Sequence, residues 1–301
     1  MQKQLRGSIY LLLATIFWGS TFVAQEAAMN FIRPFTFQAV RTALGALCLL
    51  PVIFMLDKKE GKSFLEGWKD KRLWIAGLLC GIPLFLAGNL QQLGIGAGTD
   101  AGKSGFLTAM YILFVPLIGI FRKEKPPKLL PLSLALAVVG LYFLSCAESG
   151  ISAISVGDLL LLSCALMYAV QIIVVDKFVS SVDCIRLNAI QVAVSSAMTT
   201  VLMFTMEQPS IQAIGNCWLP ILYSGIFSSA VAFTLQIVGQ KDLSPSLASL
   251  IMSLESVFAV LTGLAFGGRM TGFESIGCVL IFLAVILCQL PIPNKKCVSQ
   301  K

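Results

Sequence analysis

A chain of 301 residues that is 57% hydrophobic and only 12% charged, with a mean hydropathy of +0.86, lies far from the roughly 25% charged composition of soluble domains. It is an integral membrane protein with the lipid bilayer as its surroundings. Its formal charge of +7 would suggest nucleic acid on a soluble face; here no nucleic-acid partner is expected, because what counts is how the charge is distributed between membrane spans.

Apolar runs close to the ~20 residues that cross a bilayer recur at 7–25, 34–56, 72–95, 101–121, 128–146, 157–178, 184–206, 218–238, 246–267 and 272–292. These are ten predicted helices of an all-α polytopic protein. Span one carries Trp18, Thr21 and Gln25. Span two holds Arg41, the only basic residue clearly within a span, about two turns from its start. Span three adds Asn89, Gln91 and Gln92, and in span four Ser104, Thr108 and Tyr111 fall at i, i+4 and i+7, which is one stripe. Lys103, at the end of span four, can snorkel. Span six offers Tyr168 and Gln171, and span eight Gln236. Span nine repeats the stripe as Ser249, Ser253 and Ser256, with Glu255 roughly 120° around the helix from its centre.

Polar side chains at membrane depth are costly unless buried in protein or in a wet cavity, so they mark a candidate lining. The candidate substrate-binding residues are Trp18, Thr21, Asn89, Gln91, Thr108, Tyr111, Tyr168, Gln171, Gln236 and Ser253. Glu255 and Arg41 are candidates for a coupling group or an ion pair, since a charge at mid-span costs about 2.5–3.5 kcal/mol on insertion scales and must pair or take up a proton. Helix packing is the alternative for the hydroxyl stripes, and aromatic core packing for Trp18 and Tyr168.

Basic residues alternate between loops. With a cytoplasmic amino terminus, eighteen fall inside, including Lys58, Lys59, Lys62, Lys69, Lys71 and Arg72 after span two, against Arg33, Lys103 and Arg269 outside. Both termini are therefore expected to be cytoplasmic, in a multi-pass protein of the inner cell membrane. Nine cysteines without a CxxC spacing, and no histidine, give no metal site, and no cofactor is expected.

The chain repeats itself. A shift of 150 lays "GSIYLLLATIFWGS" on "GDLLLLSCALMYAV", Gln38 on Asn188 and Arg41 on Gln191; a shift of 145 lays Gln91 on Gln236 and "SGFLTAMYILFV" on "SLIMSLESVFAV". Each repeat holds five helices, over 7–147 and 157–292. Because five is odd, the second copy enters the membrane from the opposite side and the repeat is inverted. Two near-equivalent packings of such halves, rocking about a midplane site, give alternating access.

With "AGKSGFLTAMYILFVPLIG" in the first half and "SPSLASLIMSLESVFAVLTGLAFGGRMT" before the last span, the chain resembles the drug/metabolite transporter superfamily, EamA type. Ser256 stands where that family usually carries proline, and Gly268 where an acidic residue is common. The resemblance implies a carrier of small organic metabolites, often outward, with helices of both halves around a central cavity. A small-molecule substrate, export, proton coupling and a homodimer are the resulting expectations. A membrane channel or a lipid flippase with a similar polar lining is the alternative. An intramembrane enzyme is not expected: there is no histidine and no two acids share a helix face at depth.

Overall fold

The computed structural model of the chain describes residues 2–99, 101–121, 128–145, 155–266 and 271–290. Its helices are α1 (Gln2–Ala28), α2 (Pro34–Lys59), α3 (Lys71–Gly96), α4 (Ala101–Ala109), α5 (Tyr111–Phe121), α6 (Leu130–Ser145), α7 (Val156–Phe178), α8 (Cys184–Met206), α9 (Ile211–Asn216), α10 (Trp218–Tyr223), α11 (Phe233–Gln240), α12 (Pro245–Met252), α13 (Glu255–Ala265) and α14 (Gly272–Gln289), with a π-helical segment, Ser224–Ala232, between α10 and α11. Among the described residues nine helical stretches are long and apolar enough to cross a membrane, and α6 is a shorter apolar tenth. Helix is the only open structure that satisfies every backbone amide without water, which is why hydropathy alone places these elements.

Three of the ten spans are not simple α-helices. The fourth is broken between α4 and α5 at Met110, whose amide bonds to the Leu107 carbonyl, and the ninth between α12 and α13 at Ser253 and Leu254. The breaks lie within two residues of equivalent positions, because Met110 shifted by 145 is Glu255, the first residue of α13. No proline stands at either. In the ninth span the Ser253 hydroxyl donates to the Leu250 carbonyl, a back-bond that competes with the helix ladder.

The π-helical segment has its cause in the repeat. A Cβ on Gly81 would press on Val194 and the Gln191 carbonyl, and one on Gly225 on Leu44 and the Arg41 carbonyl. Those neighbours are related by 150, so Gly81 and Gly225 are equivalent positions, 144 apart. Further along, Gly94 abuts Gly157 and Leu161 as Gly239 abuts Gly7 and Leu11, and there the offset is 145. The second half holds one extra residue between these points. A π-turn is how a helix absorbs a single insertion.

Packing crosses between the halves: α2 lies on α8, α3 on α7 and α6 on α14. The α2–α8 pair is fastened at both ends. At the end of the bundle that carries the amino terminus, the Arg186 guanidinium donates to both Asp57 carboxylate oxygens at 2.6 and 2.5 Å and lies over the Trp68 ring. At the other end Glu207 accepts from the amides of Phe35 and Thr36 at 2.9 and 2.8 Å and from the Thr36 hydroxyl at 2.6 Å. Arg33, the N-cap residue before α2, offers no side-chain cap, so Glu207 serves as that cap from the other half. The two fastenings are symmetry mates, since Asp57 shifted by 150 is Glu207 and Thr36 is Arg186.

The α6–α14 crossing is the tightest test of this packing. A Cβ on Gly277 would stand 2.6 Å from both the Gly140 carbonyl oxygen and the Leu144 nitrogen, whereas one on Gly272 meets nothing within 4 Å. Backbone cannot swing aside, so Gly277→Ala is expected to cost about 1–3 kcal/mol. The check is the thermal midpoint of the detergent-purified protein, with Gly272→Ala as the unshifted control.

Candidate functional site

Between the halves, at the depth of the helix breaks, a narrow cavity is lined by Trp18, Phe22 and Gln25 of α1, Arg41 of α2 and Gln91 of α3. Tyr111 of α5, Tyr168, Gln171 and Ile172 of α7, Ser228 of the π-segment, Phe233 and Gln236 of α11, and Met252 and Glu255 of the broken span complete it. Its free volume is about 40 Å³, room for a few waters and far below the ~300–1,000 Å³ of a filled ligand site. A larger hollow of about 580 Å³ lies between α5, α6 and α12, with mostly apolar walls and Asp176, Ser244 and Ser246 as the polar residues among the described lining.

Of the residues singled out from sequence, Trp18, Gln91, Tyr111, Tyr168, Gln171 and Gln236 stand in this lining together with Arg41 and Glu255. The other four lie elsewhere, each for a visible reason. The Thr21 hydroxyl donates to the Phe17 carbonyl, and Asn89 donates to the Phe85 carbonyl and to Thr199. Thr108 accepts from Gln91 at 3.3 Å. Ser253 is turned back onto its own helix. Apart from Tyr111, the two hydroxyl stripes are packing surfaces: Ser104 bonds to the Thr99 carbonyl, Ser249 to the Ser246 carbonyl, and Ser256 reaches across to the Gly105 carbonyl at 3.1 Å. Lys103 does not snorkel freely but pairs with Asp158 at 2.9 Å, near the start of α7.

Glu255 is the first residue of α13, so the break places its carboxylate at a helix amino terminus, where the dipole favours negative charge. The residue is 5% exposed, its Oε1 has no hydrogen-bond partner, nor has the neighbouring Tyr111 hydroxyl. Arg41, 4% exposed, spends its Nε on the Gln38 side chain at 2.7 Å and stands over the Phe37 ring. No ion pair joins Arg41 to Glu255 among the described residues, contrary to the pairing that their depths suggested.

Gln25, Phe22, Ile172, Ser228, Phe233 and Met252 were not among the candidates. Phe22 and Gln25 follow Trp18 at i+4 and i+7, the spacing that puts them on its face. Met252 shares the face of Glu255. Ser228 and Phe233 depend on the π-segment, and only the change of repeat offset from 144 to 145 signals it.

The family model of the EamA-like transporter family matches residues 5–146 and 155–289. The chain belongs to this family. A protein of Archaeoglobus fulgidus named an uncharacterized transporter is 31% identical over 293 residues, 96% of this chain and 87% of its own. YoaV of Bacillus subtilis, also named an uncharacterized transporter, is 25% identical over 92% of each chain. A solved structure described only as the crystal structure of a protein superposes with a TM-score of 0.76 at 19% identity, covering 94% of this chain and 96% of the other; it shares the fold. This EamA-like protein is thus a multi-pass membrane transporter.

Proposed function

We propose that the protein is a secondary transporter that moves a small organic metabolite by alternating access, outward and in exchange for protons. The observation that carries this reading is a narrow cavity between the two halves, lined by one base, Arg41, and one acid, Glu255, that do not pair among the described residues. Arg41 is free to meet an anionic group of the substrate, Glu255 is the group for the coupled proton, and Trp18, Tyr111, Tyr168, Gln91, Gln171 and Gln236 surround the substrate. A cavity of about 40 Å³ cannot hold such a molecule without widening. The halves must therefore move for it to enter, as in other inverted-repeat carriers.

Proteoliposomes settle the matter directly: a metabolite panel is offered with and without a proton gradient, and saturable, gradient-stimulated movement of one compound is expected. Single-channel conductance, or competition by lipids but not by water-soluble compounds, would overturn the reading. For orientation, the loop that includes Ser152 bears no basic residue and the loop from Arg122 to Lys128 bears four. A cysteine label in the first is expected to react from outside and one in the second only from inside; reaction of both from one side would defeat the assignment.

A further inference from the structure

The second half contains an unbroken chain of side-chain amides. The Asn188 amide nitrogen donates to the carbonyl oxygens of Ser229 and Ala230 at 3.2 and 3.0 Å and to the Thr234 hydroxyl at 2.9 Å. Gln191 donates to Asn188 Oδ1 at 3.0 Å, Gln171 to Gln191 Oε1 at 3.2 Å, and Gln236 to Gln171 Oε1 at 3.0 Å. Gln236 also donates to Gln240 Oε1 at 2.9 Å, and Gln240 in turn donates to the Ile172 carbonyl at 2.9 Å. All five amides are buried.

An amide's oxygen and nitrogen can normally exchange places, and only the surrounding network decides between them. Here the network ends on backbone carbonyls, which accept and never donate. Asn188 must turn its nitrogen to Ser229 and Ala230, so its oxygen receives Gln191; the same argument passes to Gln171 and then to Gln236. The Ile172 carbonyl fixes Gln240 independently from the other side. Both hydrogens of the Gln236 amide are thus committed, and its Oε1 is buried and without a partner on a residue that lines the cavity.

We infer that Gln236 is a specificity-determining residue, an obligate hydrogen-bond acceptor for an N–H or O–H group of the substrate, and that Asn188 and Gln240, neither of which lines the cavity, are the positioning residues that set its polarity. The inference rests on the central cavity being the substrate site. The first half makes the contrast visible. There the equivalent pair is Arg41 donating to Gln38, so one half turns a donor toward the cavity and the other an acceptor.

The test uses purified full-length protein and three probes of one shape: phenethylamine, phenethyl alcohol and the donor-free phenethyl methyl ether. The aromatic part of the wall, Trp18, Phe22 and Phe233, suits their ring. Binding is read from the fluorescence change that Trp18→Phe abolishes. In the wild type the amine and the alcohol are expected to bind at least about tenfold tighter than the ether, because the ether leaves the acceptor buried and unpaired. Gln236→Leu should bring the ratio to about one. So should the double variant Asn188→Leu/Gln240→Leu, through a freed amide and without loss of affinity for the ether, which a merely structural role would not produce. Equal binding of ether and alcohol by the wild type, which needs no variant, overturns the inference alone; a double variant that keeps the tenfold preference overturns the positioning role. A Trp18-dependent signal from none of the probes overturns the cavity as the site and the inference with it.

Discussion

Glu255→Gln is expected to exchange substrate for substrate as the wild type does and to lose gradient-driven accumulation. Glutamine keeps the volume and the hydrogen-bonding edge of the protonated acid but can neither release nor take up a proton. One proton moved through 100 mV supplies about 2.3 kcal/mol, which sustains an accumulation of about fiftyfold; in the variant the ratio should fall to about one. The measurement is uptake into proteoliposomes, first with substrate on both sides and then under an imposed gradient. Its Oε1 has no partner to lose, so the variant is expected to fold and insert as the wild type does. Full gradient-driven accumulation by stably expressed Glu255→Gln would show that this residue carries no coupled proton.

Asp57→Ala should be among the most destabilising single changes in the molecule. It leaves the Arg186 guanidinium, on a residue 8% exposed, without its two-pronged partner, and stranding one member of a buried pair costs about 3–5 kcal/mol. The nearby Asp183 lies 3.7 Å away and is half exposed, too weakly placed to substitute. Removing both charges, in Asp57→Leu/Arg186→Leu, is expected to recover most of the loss, since a desolvated pair replaced by apolar groups is close to neutral. Thermal midpoints of the three proteins decide it; a single variant within about 1 kcal/mol of wild type would mean that water reaches the pair.

Much of the fold was legible because the bilayer imposes simple rules. Length and hydropathy give the spans, and the shifted matches of Gln91 with Gln236 and of Gln38 with Asn188 give the two halves. The breaks at Met110 and Ser253 were not legible, because no proline or glycine stands there. The projection that set Glu255 apart from the serine stripe assumed an unbroken helix. It separated the two faces correctly but could not say which one looked inward, and it was the serines that proved to be packing. Depth along the chain placed Arg41 near Glu255, yet a residue three positions away, Gln38, holds its Nε. Cavity membership follows rotation about each helix axis as well as depth. Asn89 and Thr108 lie deep enough and are turned toward neighbours.

The fastenings of α2 to α8 make the two halves depend on each other. Each joins a group from one half to a group from the other: Asp57 to Arg186, and Glu207 to the start of α2. Arg6 and Asp242, and Lys103 and Asp158, follow the same rule. Cut between the halves, each five-helix piece would expose charged groups that here bond to groups on the other piece. Each half thus completes the other. Thr36 and Arg186, equivalent under the shift of 150, hold different partners at opposite ends of the bundle, an asymmetry that a single chain permits and a pair of identical copies does not.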